Sequence, residues 1–355
     1  MYPFKEGSFA PRNGWYVCAF PHEINRTLMT RWILNEPVVL YRKESGEAVA
    51  VGGRCPHRHY PLGESKLIGD AIQCGYHGIT FGPDGRCTAV PSQEGVIPNV
   101  YRVRSYPLVE KGLWMWIWPG DPSLADESLI PDPVEIGLEG KGLIPRAFYS
   151  LHVKGRYQLL NDNLLDLTHL GYLHASSIGT PENASTPEER EQDERRLRSR
   201  RYLKGAACPD AIAQISGYSG PIDRVAGMDF YVPGFHAGVD DTKVGDPDDP
   251  RYGELINTGN VYHAVTPSTH SETLYFFAMA GMSDTQLDFL EEYLKAVVDE
   301  DVFATEEIEK IIQKIGALPP ELMLKSDATA VIGRRMLQAM MDAENTGPEP
   351  MRKAG

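Results

Sequence analysis

Cys55-Pro-His57 and, after sixteen intervening residues, Cys74-Gly-Tyr-His77 constrain this chain more than any other feature. Each segment offers one thiol and one imidazole. A [2Fe–2S] cluster in which two histidines replace two cysteines on one iron needs this inventory. Neutral imidazoles remove negative charge from such a cluster and raise its reduction potential well above that of an all-cysteine one. The spacing within each pair is set by reach, since one tight loop must bring a sulfur and a ring nitrogen to two different irons. Pro56 stiffens the first loop, while Gly75 and Gly78 let backbone amides of the second approach the cluster sulfurs. Zinc held by two thiolates and two imidazoles uses the same atoms and is the competing reading. Structural zinc sites, however, usually start from a Cys-x-x-Cys knuckle, and here each loop mixes the two ligand types.

At 355 residues the chain has the length of two ordinary domains, each able to bury its own core. Its 42% hydrophobic and 24% charged residues are those of a soluble globular protein. A formal net charge of −14 argues against nucleic acid or an anionic membrane as partner. Met1 to Lys5 has no apolar stretch behind a basic start, so no secretory signal is visible. The longest apolar run, Leu113 to Trp118, is far too short to cross a bilayer. If Cys55 and Cys74 hold iron, Cys18, Cys87 and Cys208 remain, scattered and without a paired framework. Free thiols in a reducing cytoplasm fit that better than disulfides, with Cys87 expected as a buried thiol.

Residues 1 to about 120 read as short strands broken by turn signals at Gly46, Gly69-Asp70 and Pro83-Asp-Gly85. This pattern predicts a small antiparallel domain with the cluster loops projecting from one end. A Pro/Asp-rich passage from Pro119 to Pro133 denies the ladder its donors, so residues 121–147 are expected to link this domain to a second at 148–355. Ser150 to Lys154 alternates like a strand, Tyr157 to His174 reads as helix, and strand-like segments recur between Met228 and Met279. Two amphipathic helices close the chain, at about Thr285 to Lys314 and Asp327 to Glu344. The second half is therefore α+β. The charged stretch Thr180 to Arg201 is expected to be an exposed helix or a flap over an entrance.

A second constellation is Asn161-Asp-Asn163-Leu-Leu-Asp166-Leu-Thr-His169-Leu-Gly-Tyr-Leu-His174. Oxygen activation at mononuclear iron uses two histidines and one carboxylate on one face, leaving the other open. On an ideal helix His169 and His174 would lie about 140° apart, so the helix must end or distort between them, and Gly171 permits that. The bland alternative is two polar residues near a helix end, but a one-electron relay upstream needs a destination. Helical phase supplies a carboxylate: Leu294, Val297 and Val298 define an apolar stripe, and at about 100° per residue Asp301 falls on it, with Ile308 and Ile312 continuing the line. Asp299 and Glu300 point away and are expected on a solvated face. An unpaired carboxylate among core aliphatics is costly, and a cation is the natural compensation.

Arg54-Cys-Pro-His-Arg58, Pro61-Leu62 and Cys74-Gly-Tyr-His-Gly78 resemble the motif of Rieske non-haem iron oxygenases. The branch they resemble contains the oxygenase components of vanillate O-demethylase and dicamba monooxygenase. Asn13-Gly-Trp-Tyr-Val17 and Phe81 to Arg86 extend the likeness, Asn163, Asp166, His169 and His174 match the family's Asn-x-x-Asp-x-x-His-x4-His signature, and Glu300-Asp301 matches its Glu-Asp pair. Ser326 to Met336 is similar to its closing helix. The resemblance implies a Rieske domain followed by a helix-grip catalytic domain. Cys55, His57, Cys74 and His77 would hold the cluster, and His169, His174 and Asp301 the mononuclear Fe(II). It further implies catalytic roles for Asn163 and Asp166, the latter accepting a hydrogen bond from an iron-ligating histidine and bridging to a cluster histidine of the neighbouring subunit in a head-to-tail homotrimer. His59 is expected as a neighbour of the cluster and no ligand.

The activity implied is that of a terminal oxygenase fed with NAD(P)H electrons by a separate reductase or ferredoxin, since the chain shows no convincing Gly-x-Gly-x-x-Gly fingerprint of its own. Subfamily likeness points to oxidative O-demethylation of a methoxylated aromatic acid with release of formaldehyde. Hydroxylation or N-demethylation of another aromatic by the same centres is the nearest rival, and a Rieske electron carrier without catalytic iron is the rival from another class. Asn257, His263 and Phe235 are candidates to contact substrate.

Overall fold

The computed structural model describes residues 1–316 and 320–346. The chain forms two compact units: Arg12–Leu129 with Thr266–His270, and Met1–Pro11 with Ile130–Val265 and the described residues from Ser271 on. This division differs from the expected limits of 1–120, 121–147 and 148–355, of which residues 317–319 and 347–355 lie outside the described set. Specific bonds account for the difference. Tyr157 Oη and Gln158 Nε2 donate to the Phe9 carbonyl at 2.9 and 3.1 Å, and Lys5 pairs with Asp342 at 2.7 Å. Part of the expected linker is likewise fastened down, because Asn260 Nδ2 and Tyr262 Oη both donate to the Ile136 carbonyl.

The smaller unit is antiparallel β. Its strands are β1 (Tyr16–Ala19), β2 (Met29–Ile33), β3 (Glu36–Arg42), β4 (Ala48–Gly52), β5 (Lys66–Ile68), β6 (Ala71–Gln73), β7 (Thr80–Phe81), β8 (Cys87–Ala89), β9 (Leu108–Lys111) and β10 (Trp114–Ile117). They make the sheets β1-β10-β9, β2-β3-β4 and β5-β6-β7-β8. β-branched and aromatic side chains from β3, β4, β6 and β7, among them Val39, Tyr41, Val51, Ile72 and Phe81, bury one core cluster. The Cys55 and Cys74 thiols belong to that cluster. Cys87, by contrast, is only half-buried.

The larger unit is α+β, a seven-stranded sheet with helices packed on it. In chain order it holds β11 (Ile144–Val153), α1 (Tyr157–Leu165), α2 (Glu182–Ser185), β12 (Glu189–Gln192), β13 (Arg196–Ala206), α3 (Asp210–Ser216), β14 (Ile222–Tyr231), β15 (Phe235–Val244), β16 (Leu255–Thr269), β17 (Glu272–Gly281), α4 (Asp284–Ile315) and α5 (Ala328–Thr346). The sheet order is β11-β17-β16-β15-β14-β13-β12. α4 starts where Ser283 Oγ accepts the Gln286 N–H at 3.2 Å, an N-cap worth about 1 kcal/mol. Over 32 residues it buries one stripe against β11, β17 and α1.

Three local expectations change. The segment 180–201 is neither a helix throughout nor a flap: after the short α2, β12 and β13 pair as a hairpin that closes one edge of the sheet. Its charge reflects edge position and internal pairing, as in Arg201, which is 3% exposed and donates to Glu188 at 3.1 Å. α1 ends at Leu165, earlier than expected, because Asp166 turns to φ −116°, ψ 90° and its side chain caps a 3-10 turn over Leu167–Gly171 by accepting from Thr168 N–H. Gly171 matters through close approach, since a Cβ there would lie 2.8 Å from the Thr180 carbonyl.

Candidate functional site

The two cluster loops are built to the same backbone plan although their Cys–His spacings differ. Cys55 N–H donates to the Tyr60 carbonyl and His59 N–H returns to the Cys55 carbonyl, both at 2.9 Å. In the second loop Cys74 N–H donates to Ile79 at 2.8 Å and Gly78 N–H returns to Cys74 at 3.0 Å. His59 and Gly78 thus hold equivalent places, and both adopt left-handed backbone, with φ of 57° and 71°. Cys55 and Cys74 are buried, while His57 and His77 are exposed with ring centroids 4.6 Å apart. Burial, together with the adjoining Cys74 thiol, raises the Cys55 pKa. Two buried thiols beside two exposed imidazoles are the donor set that would hold a [2Fe–2S] cluster, which would supply one-electron transfer.

The twin plan gives His59 a role that the sequence did not show. It holds the left-handed position, and its Nδ1 lies 3.1 Å from Arg54 Nη1. Because a β-branched residue tolerates that conformation poorly, His59→Val should destabilise the holoprotein by about 1–2 kcal/mol relative to His59→Gly. Urea denaturation followed through loss of cluster absorbance measures the difference.

In the larger unit His169, His174 and Asp301 converge, with one ligand atom from each lying within 4.8 Å of the others. His174 Nε2 is 3.0 Å and His169 Nε2 3.7 Å from the same Asp301 oxygen, Oδ1. Donors about 2.1 Å from one ion at right or tetrahedral angles stand about 3.0–3.4 Å apart; the His174 spacing meets that range and the His169 spacing exceeds it by a few tenths of an ångström, so a small inward shift would bring the three onto one ion as a facial site. Each imidazole is oriented through its other nitrogen. His169 Nδ1 donates to the Asp166 carbonyl and His174 Nδ1 to Glu300 Oε2, both at 2.6 Å, which leaves each Nε2 toward the carboxylate. Asn163 Nδ2 donates to Asp301 Oδ1 at 2.9 Å, so Asn163 acts here as a positioning residue. Burial lowers the His169 pKa, whereas at His174 burial is outweighed by Asp301 and Glu300, which raise it. Burial pushes Asp301 up, but His174, His169 and Asn163 outweigh it and hold the carboxyl below its usual range.

Two expectations are corrected at this centre. It is the backbone carbonyl of Asp166 that orients His169; the carboxylate accepts the Thr168 N–H instead. Glu300, expected on a solvated face, does keep 39% of its side chain exposed, but it is also the hydrogen-bond partner of His174. Loss of such an outer partner typically weakens metal binding about 10–100-fold. Glu300→Ala should therefore lose mononuclear iron at correspondingly lower chelator concentration with cluster absorbance unchanged, as read by metal analysis after graded dialysis.

Beside the triad lies a cavity of about 160 Å³, between α4 and one face of the sheet. Its walls are chiefly aliphatic, from Leu164, Met228, Val261, Leu290, Leu294 and Val298. Asn257 and His263, two of the three residues named as candidates to contact substrate, line it. Their residue numbers share the parity of Val261, so β16 presents all three on one face. Phe235 does not line it: it pairs with Ala264 across β15 and β16, on the opposite face, and stacks on Tyr262 at 6.3 Å. His263 Nδ1 lies 2.6 Å from Tyr275 Oη, and burial pushes the His263 pKa down to about 4, leaving a neutral ring.

A histidine-and-cysteine cluster site together with a two-histidine, one-carboxylate site defines a Rieske non-haem iron oxygenase, a monooxygenase with a [2Fe–2S] cluster and a mononuclear iron. Residues 14–107 match the Rieske [2Fe-2S] domain and residues 153–343 the vanillate O-demethylase oxygenase C-terminal domain. The chain belongs to the vanillate O-demethylase oxygenase family. It is 33% identical to the iron-sulfur subunit of the toluene-4-sulfonate monooxygenase system of Comamonas testosteroni, over 96% of this chain and 99% of that one. It is 32% identical to the oxygenase component of dicamba O-demethylase of Stenotrophomonas maltophilia, over 94% and 98%. The crystal structure of dicamba monooxygenase bound to 3,6-dichlorosalicylic acid superposes with a TM-score of 0.83 at 28% identity, covering 94% of this chain and 98% of that one. The zinc and electron-carrier alternatives fall with these matches. Among the described residues no helix is long and apolar enough to cross a membrane.

Proposed function

We propose that this oxygenase component carries out oxidative O-demethylation of a small methoxylated aromatic compound, releasing formaldehyde. The observation that carries the reading is the convergence of His169, His174 and Asp301 on the wall of an aliphatic cavity of about 160 Å³. Engineered apolar cavities of about 150 Å³ admit a single benzene ring. Cys55, His57, Cys74 and His77 are the proposed cluster ligands. When bound, the cluster supplies electrons singly and the mononuclear iron supplies the dioxygen chemistry that places one oxygen atom in a C–H bond. A methyl ether so oxidised is a hemiacetal, which collapses to a phenol and formaldehyde. The chain's own part is positional: Asp166 and Glu300 fix the imidazoles, Asn163 fixes Asp301, and the aliphatic walls exclude water from a substrate whose polar group meets His263.

Electrons would come from NAD(P)H through a separate reductase or ferredoxin. We further propose a homotrimer in which the Asp166 carboxylate links the cluster of one chain to the iron of the next. Exposed apolar residues on α4, among them Phe303, Ile311 and Ile315, favour self-association. Five unpaired cysteines fit a reducing, cytoplasmic setting. The test is formaldehyde release from a panel of methoxylated aromatics with a surrogate reductase. Stoichiometric formaldehyde and phenol support the proposal; hydroxylated product with the ether intact overturns it.

A further inference from the structure

The cavity beside the triad is longer than one ring, and its two ends differ in character. Asn257, Gly259, Val261 and His263 line it in succession along one face of β16. At about 3.3 Å per residue, the backbone from Asn257 to His263 covers about 20 Å. α4 gives the same length independently. Gln286 is bonded to Asn257, and the charge of Asp301 is felt at the His263 ring. At about 1.5 Å per residue, these two positions on the helix stand about 22 Å apart. A methoxylated ring with one small polar group is far shorter. A volume of about 160 Å³ drawn out over that length is a slot, walled along its middle by Met228, Val261, Met279 and Leu294.

The end remote from the triad is rich in donors. Asn257, Gln286 and Arg224 line it and are 5%, 8% and 5% exposed. Both amide oxygens are taken: Gln286 Nε2 donates to Asn257 Oδ1 at 2.9 Å, and Gln286 Oε1 accepts the Met282 N–H at 2.6 Å. Each terminal nitrogen, by contrast, carries two hydrogens and uses one. Asn257 Nδ2 reaches the Asp240 carbonyl at 3.5 Å, Arg224 Nη1 the Ile178 carbonyl at 2.9 Å, and Arg224 Nη2 Asp240 Oδ2 at 2.6 Å. Two amide and two guanidinium N–H groups are therefore left over. The carboxylate at this end, Asp240, is already held by Arg224 Nε and Nη2 and by Thr242 Oγ1. Buried donors in this number are costly unless an acceptor meets them.

We infer that this end is a second recognition subsite, which takes a carboxylate or carbonyl oxygen at the tip of an unbranched chain carried by the ring. The substrate is then an elongated methoxyarene reaching from the triad to Asn257 and Gln286, and these two amides determine specificity. The inference rests on the demethylase reading, which puts the methoxylated ring beside His169, His174 and Asp301, and adds to it the chain and its terminus. The apolar middle of the slot accepts methylenes, and its small volume excludes branching or a second bulky ring.

The test is equilibrium dialysis on the holoenzyme with two matched pairs: 3-(4-methoxyphenyl)propanoate against 4-propylanisole, and 6-(4-methoxyphenyl)hexanoate against 4-hexylanisole. The hydrocarbons account for the added methylenes, so the ratio within each pair reads the terminal acceptor alone. Preference for the acid should be at least tenfold greater in the six-carbon pair than in the three-carbon pair. An equal or smaller preference, or no binding by the six-carbon acid, overturns the inference. Gln286→Met removes one amide and should cut the six-carbon preference at least tenfold. A folded, metal-replete variant that keeps the full preference overturns the role given to the amides, and if the variant does not fold, the wild-type ratios still decide. Formaldehyde release is read separately. Demethylation of both acids without the rise in preference sinks this inference and leaves the demethylase standing. A six-carbon acid that shows the rise but is hydroxylated with its ether intact does the reverse.

Discussion

His169→Ala is expected to give a red-brown protein with its cluster intact and substrate turnover reduced to background. His169 supplies one of three converging donors, and its Nδ1 is already committed to the Asp166 carbonyl. With the ring gone, His174 and Asp301 remain as a two-donor site, and iron content should fall from about three atoms per chain to about two. The cluster loops close on their own backbone bonds and should keep their visible spectrum. Retained turnover in this variant would refute the ligand assignment.

Asp166→Asn should cut turnover about 10–100-fold while both metals stay bound. The local geometry makes this substitution informative. The Asp166 side chain caps the 3-10 turn by accepting the Thr168 N–H, and asparagine caps about as well as aspartate. Its backbone carbonyl holds His169, and that group is unchanged by substitution. What is lost is the carboxylate charge proposed to link two chains. Rapid mixing with reduced reductase should show the cluster reduced but slow to reoxidise in the presence of substrate and dioxygen. Near-normal rates would count against the bridge.

The residues proposed to hold metal could be named from the sequence because ligand chemistry restricts residue type and spacing, and the structure brings His169, His174 and Asp301 together. Asp301 could be found by phase because an acid on an aliphatic stripe is conspicuous. The continuation of that stripe was not readable. Ile308, expected on it, is 46% exposed, and the buried line runs instead through Thr305 and Glu309 to Ile312. A hydrophobicity argument cannot see a buried Glu309, because its compensation lies far off in sequence, at Arg156 Nε, 2.6 Å away in the fold. The hydrogen bond of Glu300 was missed for a related reason: its partner, His174, comes from another element. Phe235 was misassigned because β15 begins with four buried residues in a row, so no alternation betrays which face each side chain takes. The hairpin at 189–206 was obscured by its position at the sheet edge, where β12 is exposed throughout and charge replaces the usual apolar stripe.

α4 carries Glu300 and Asp301 on the same rigid rod as Leu290, Leu294, Val297 and Val298 of the cavity wall. Any repacking that shifts this rod to suit a new ligand would also drag the metal anchor. Met228, Val261 and Phe277 face the same space from three separate strands and carry no such burden. Directed evolution toward new substrates should therefore find its productive mutations on the strands, and libraries randomised along the helix should be dominated by metal-depleted clones.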